Sequence, residues 1–137
     1  MNGQVAIREK EKRAILYCRS VKGNYEDMQS QSKVLSEYAK ANGLSVVRTY
    51  LESGKMDALT YNNFRLQAKY REFEVLIVPE LKVLGNSAIE ITEEVKFLAK
   101  NGVKVISIKD GELSVETLPK LFRELIRLKI PKYNLIR

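Results

Sequence analysis

The sequence predicts an α/β fold: three layers, with a mainly parallel sheet of four to five strands and helices on both faces. Three observations carry this. Short apolar runs of strand character alternate with longer stretches whose apolar residues recur at helical spacing. The connections between the apolar runs are too long for hairpins, which favours right-handed crossovers between parallel strands. Asn42-Gly43 and Asn101-Gly102 each follow a helical stretch and supply the residue types that end helices in a left-handed turn.

The elements follow in order. Ala14-Ile15-Leu16-Tyr17-Cys18 is a continuous apolar run after a charged leader and reads as a strand buried on both faces. Between Glu26 and Ala41, Met28, Leu35, Tyr38 and Ala39 share a helical stripe. Leu44 to Leu51 is rich in β-branched and aromatic residues and reads as the second strand, with a polar loop from Glu52 to Thr60 after it. Tyr61 to Tyr70 places Phe64 and Ala68 at i and i+4 and reads as a short helix. Glu74 to Val78 is the third strand, stopped by Pro79. Ser87 and Glu90 have capping-box spacing before a helix with Ile91, Val95 and Leu98 on one face. Val103 to Ile108 is the fourth strand. The stripe Leu118, Leu121, Phe122, Leu125 and Leu128 marks a last helix, with Pro119 tolerable in its first turn and Pro131 closing the segment. The expected organisation is a charged leader over 1–13, an α/β domain over 14–117, and a short basic amphipathic helix and tail over 118–137.

Composition narrows the chemistry. With 45% apolar and 30% charged residues in 137, the chain has the makings of one independent core. No apolar run approaches the roughly 20 residues of a membrane helix, and no hydrophobic signal core follows the first residues, so a cytoplasmic protein is expected. Cys18 is the only cysteine and there is no histidine, which removes intrachain disulfides, common zinc sites and Ser-His triads. No metal or cofactor is implied, and no glycine-rich phosphate loop is present. Cys18, within a buried strand, reads as a core residue, and Tyr17, Tyr38 and Tyr50 read as packing residues. The 24 basic residues against 17 acidic give a net charge of +7, which favours polyanionic partners. In such sheets sites lie beyond the carboxyl ends of the strands, here after Cys18, Leu51, Val78 and Ile108.

From about Ala14 to Asp110 the order of motifs resembles the catalytic domain of the resolvase/invertase, or serine recombinase, family. Ala14-Ile-Leu-Tyr-Cys-Arg19 resembles the opening strand ending in Tyr-x-Arg. Met28-x-x-Gln31 and Glu37-Tyr38-Ala39-Lys40-Ala41-Asn42-Gly43 are similar to the first helix, and Tyr50-Leu-Glu52-Ser-Gly54 to the second strand and its acidic loop. Val75-Leu-Ile-Val78 with Leu81-x-x-Leu84-Gly85-x-Ser87 resembles the third strand and catalytic loop, and Asn101-Gly-Val-x-Val-Ile-Ser107 the fourth strand.

The resemblance implies attack of a serine hydroxyl on a DNA phosphodiester, a reaction that needs a positioned nucleophile and several fixed cations around the phosphoryl oxygens. The family's serine, two positions after the strand-end arginine, falls on Val21; Ser20 is one residue early. The catalytic-loop stretch Asp-Arg-Leu-Gly-Arg corresponds to Lys82-Val83-Leu84-Gly85-Asn86, and the arginine expected before a proline to Tyr61-Asn62. Arg19 remains, and Lys82 supplies one charge, but an ammonium does not replace two guanidinium forks. No residue is assigned as catalytic with an inactive chain; in an active one, Ser20 would be the nucleophile and Arg19 its phosphate contact. The structural alternatives are a turn serine capping nearby backbone and an Arg19 ion pair to Glu52 or Asp110.

In the family, the helix after this domain pairs subunits and leads to a separate DNA-binding domain; here Pro131 and the end of the chain stop it early. Lys120, Arg123, Arg127, Lys129, Lys132 and Arg137 stand there against Glu124 alone, with Arg123 and Arg127 at i and i+4, a spacing suited to tracking phosphates. A solvated face complementing the helix dipole is the alternative. The expected DNA contacts are Arg19, Lys120, Arg123, Arg127, Lys129 and Lys132. Three functions stay open: an inactive recombinase-like module that binds DNA or a partner recombinase, an active recombinase using Ser20, and a small-ligand flavodoxin-like domain. A homodimer through the last helix is weighed against packing of its stripe on its own sheet.

Overall fold

In the computed structural model, residues 11–20, 22–54 and 58–129 are described, without the side chains of 58, 59, 61 and 126–129. Five strands, β1 (Arg13–Ser20), β2 (Ser45–Ser53), β3 (Val75–Val78), β4 (Lys104–Ser107) and β5 (Gly111–Leu113), form one sheet in the order β2-β1-β3-β4-β5. The first four are parallel and β5 is antiparallel to β4. Three helices connect them, α1 (Tyr25–Ala41), α2 (Ala58–Lys69) and α3 (Ala88–Lys100), with a 3-10 turn over Leu81–Leu84, and α4 (Leu118–Lys129) follows β5.

The alternation of side chains along β1 explains the layers. Ala14, Leu16 and Cys18 face α1 and pack with Leu35, Ala39, Val75 and Ile77. Ile15 and Tyr17 face the other way, into a larger cluster with Phe64 and Ala68 of α2, Ile91, Val95 and Leu98 of α3, and Leu118 of α4. One helix therefore covers one face and three cover the other. Burial holds the Cys18 thiol protonated, with its pKa pushed up to about 12.

The helix ends match their sequence signals. Asn24 Oδ1 accepts from Asp27 N at 3.1 Å at the start of α1, and Gly43, at φ 68°, closes it: Gly43 N donates to Lys40 O and Leu44 N to Ala39 O, leaving two orphan carbonyls satisfied. Ser87 Oγ accepts from Glu90 N at 3.2 Å, but Glu90 Oε1 accepts from Asn86 N rather than from Ser87, one residue beyond a standard capping box.

Two elements differ from the sequence reading. The polar loop expected from Glu52 to Thr60 is shorter, because the parallel register carries pairing on through Arg19↔Glu52 and Ser20↔Ser53, and because α2 already begins at Ala58. The edge strand β5 is three residues long, too short for a periodicity to register. It is started by a turn in which Asp110 N donates to Ser107 Oγ at 3.0 Å and Ser107 Oγ donates to Asp110 Oδ2 at 2.8 Å.

Candidate functional site

A cleft of about 630 Å³ opens at the carboxyl ends of β1 and β3, where the fold class puts ligand sites. The end of β1 contributes Arg19 and Ser20, the 3-10 turn Lys82 and Val83, the start of α3 Ser87, and α4 the side chains of Phe122 and Leu125. Arg19, Ser20 and Lys82 are thus brought together. Val21 and Lys132 lie outside the described residues, as do the side chains of Arg127 and Lys129. Lys120 and Arg123 are exposed on α4; the residues around them, Leu118, Leu121, Phe122 and Leu125, pack on the core, which leaves the two cations on its solvent side.

Ser20 is 7% exposed, and its atoms serve the backbone. Its Oγ accepts from Asn24 N at 3.1 Å, and its carbonyl accepts from Gly23 N at 3.1 Å and from Gly54 N at 2.8 Å. The loops after β1 and β2 therefore close on this one residue. Arg19 ties a third segment in: its Nε donates to Gly54 O at 2.7 Å and its Nη1 to Val83 O at 3.4 Å.

Neither ion pair weighed for Arg19 is formed. Glu52 lies beside it in register, yet the guanidinium turns to carbonyl oxygens at the mouth of the cleft. Asp110 is committed elsewhere, since its Oδ2 accepts from Leu81 N at 3.0 Å as well as from Ser107 Oγ. Asp110 thus pins the start of the 3-10 turn. Sequence reasoning missed that role, although the Ser-x-x-Asp spacing of Ser107 and Asp110 is a turn signal.

The turn is held close at its other end by Gly85. A Cβ there would stand 2.8 Å from Glu90 Cβ and 3.1 Å from Ile91 N, so the chain passes α3 with no room for a side chain. Gln31, on α1, donates from Nε2 to Asp27 Oδ2 at 3.2 Å and to Arg19 O at 3.5 Å, while its Oε1 is buried without a partner. The cleft sets the cations Arg19, Lys22 and Lys82 and the carboxylates of Asp27 and Glu80 against an apolar wall from Phe122 and Leu125, and the 3-10 turn supplies no guanidinium. Among the described residues no cluster of three or more His, Cys, Asp or Glu is placed to hold a metal ion, and no helix is long and apolar enough to cross a membrane.

The model of the resolvase N-terminal domain matches residues 14–128. The chain belongs to that family. Its fold is similar to that of the N-terminal catalytic domain of TP901-1 integrase, at 22% identity and a TM-score of 0.67, covering 87% of this chain and 100% of that one. It is also similar to a resolvase family site-specific recombinase from Streptococcus pneumoniae, at 18% identity and a TM-score of 0.68, covering 87% and 93%. The C-terminal catalytic domain of ISC1926 TnpA, an IS607-like serine recombinase, matches at 21% identity and a TM-score of 0.64, covering 85% and 79%. A search of curated proteins gives no match. At these identities the neighbours bear on the fold, and the family match carries the membership.

Proposed function

We propose that this domain is a serine-recombinase scaffold without strand-exchange chemistry, which associates with DNA noncovalently and with recombinase subunits. The observation that carries the reading is the state of Ser20: buried, with its Oγ accepting from the Asn24 amide at 3.1 Å, beside an Arg19 whose Nε and Nη1 are engaged by backbone carbonyls. Phosphoryl transfer needs a hydroxyl free to reach phosphorus in line and preorganised donors for the developing charge. Removal of one such donor costs a site about two to three orders of magnitude, and here the cations that join Arg19 at the cleft are ammonium groups, Lys22 and Lys82, with the carboxylates of Asp27 and Glu80 beside them. The DNA contact falls to α4, where Lys120 and Arg123 are exposed, with Arg127, Lys129 and Lys132 following in sequence.

Incubation with supercoiled and linear DNA, a detergent quench and mass spectrometry test the reading. The expected result is no DNA adduct on Ser20, together with DNA binding that weakens steeply with salt. An adduct that disappears in Ser20→Ala overturns it in favour of an active recombinase, a reading favoured by the presence of Ser20, Arg19 and Lys82 in one cleft. Absence of salt-sensitive DNA binding overturns the DNA-associating part.

A further inference from the structure

The free edge of the sheet carries an arrangement that the cleft does not use. β2 pairs only with β1, so its other side has no strand beside it among the described residues. Register tells which main-chain groups face that side. Gly54 N donates to Ser20 O at 2.8 Å, so Gly54 and, by alternation, Glu52, Tyr50 and Arg48 turn their N–H and C=O toward β1. Thr49, Leu51 and Ser53 turn theirs outward. The register steps from Ala14↔Val46 to Ile15↔Arg48, which leaves Val47 as a bulge and limits the regular open edge to 48–53.

Exposed edges are ordinarily blunted by proline, lysine, bulges or inward-pointing charges, and here the Val47 bulge closes off only the start of β2. Arg48-Thr-Tyr-Leu-Glu-Ser53 has no proline, and its two charges are of opposite sign. They stand symmetrically about Tyr50. Glu52 is only 9% exposed, and no cation among the described residues pairs with it. Arg19, its register neighbour, gives its guanidinium to Gly54 O and Val83 O. Arg48 lies on the same face, its guanidinium 4.8 Å from the Tyr50 ring centroid, but four residues along a strand is about 13 Å, too far for the two to pair within one chain.

An antiparallel two-fold contact can bond only if outward-facing residues meet outward-facing residues, so its axis must pass through a residue and not between two. Through Tyr50, Thr49 stands opposite Leu51 of a second copy, and each such pair exchanges both N–H···O bonds. The same axis sets Arg48 opposite Glu52 of the second copy at both ends, in the closer, non-hydrogen-bonded kind of pair. An axis through Thr49 or Leu51 leaves both charges unmatched. We propose that two copies of this chain join β2 to β2 about Tyr50 into one continuous sheet, the partner's arginine supplying the cation that Glu52 lacks. This contact lies outside the cleft and stands whether or not Ser20 reacts.

The test is sedimentation velocity of the full chain without DNA across a concentration series, at physiological salt. The wild type shows a monomer-dimer equilibrium. Arg48→Glu and Glu52→Arg each raise the dissociation constant roughly tenfold or more, because two attractive cross-strand pairs become repulsive. An equimolar mixture of the two variants dimerises again, since both ends of the contact then carry opposite charges. Hydrogen exchange on the wild type gives a second reading that needs no substitution: the outward amides of Thr49 and Leu51, which pair across the axis, slow at dimeric concentrations. A wild type that stays monomeric, a dimer indifferent to both charge changes, or Thr49 and Leu51 amides that exchange at the same rate at every concentration overturns the proposal. If Glu52→Arg does not fold, the amide exchange alone decides.

Discussion

Ser20→Ala separates a structural hydroxyl from a reactive one. The Ser20 Oγ accepts from Asn24 N at 3.1 Å, and that amide sits at the N-cap of α1, whose own side chain caps Asp27 N. Deleting the oxygen orphans an amide at a half-buried turn. A buried donor left without a partner costs about 1–3 kcal/mol. Asn24 is exposed, so water recovers part of the loss, and a cost of about 1 kcal/mol is expected. For a domain of this size that lowers the melting temperature by about 3–5 °C. Calorimetry of wild type and variant measures it, with the salt dependence of DNA binding followed in parallel and expected to be unchanged. A variant as stable as wild type would show that the hydroxyl does not hold the turn. A stable variant that had also lost DNA cleavage would refute the structural role and restore Ser20 as a nucleophile.

Three further outcomes follow from the geometry. Arg71 sits at φ 57° where α2 ends, with Arg71 N donating to Ala68 O and Glu72 N to Gln67 O, the bonding of a left-handed helix terminus. The strain of a Cβ there, about 1–2 kcal/mol, exceeds the greater chain entropy of glycine, so Arg71→Gly should raise stability by about 0.5–1 kcal/mol in urea unfolding. Gly85→Ala should lower it by about 1–2 kcal/mol, because the new methyl meets Glu90 Cβ at 2.8 Å; the urea midpoint falls with an unchanged slope. Hydrogen bonding to Arg13 lowers the Glu74 carboxyl pKa below its ordinary 4.5, so this pair contributes above the unfolded pKa and its contribution is lost as pH falls through the folded value. Both groups are partly exposed, so water screens the pair; Glu74→Gln should be slightly less stable than wild type at neutral pH and converge with it as acid protonates the carboxyl, as urea unfolding across pH would show.

The core was legible because burial imposes a period. The α1 and α3 stripes, the apolar strands and both Asn-Gly ends can be read from residue type alone. Tyr17 and Tyr50 indeed pack, each against Phe64 with ring centroids about 6 Å apart (6.2 and 6.1 Å). The site was less legible. That Arg19 and Ser20 lie at a strand end follows from the apolar run before them, but what they bond to depends on Gly54 and Val83, which are 35 and 64 residues away in sequence. The same holds for Asp110, whose partner Leu81 N is 29 residues distant. Phe122 and Leu125 read correctly as an apolar stripe, yet no local signal places that stripe at the wall of the cleft.

The polar atoms at the end of β1 connect these two halves of the problem. The Ser20 carbonyl takes two amides and its hydroxyl a third, while Arg19 binds one carbonyl from the loop after β2 and another from the 3-10 turn. Together they hold three chain segments at the mouth of the cleft. A reacting Ser20 hydroxyl would give up its bond from Asn24 N, which helps to close the loop after β1, while Arg19 keeps N–H donors beyond the two that Gly54 O and Val83 O take. Side chains that fasten loops can be retained for folding alone, whereas cations that serve only the transition state add mutual repulsion and no packing. On the proposed reading, loss of the latter would leave the core, helix ends and loop closures of such a sheet intact.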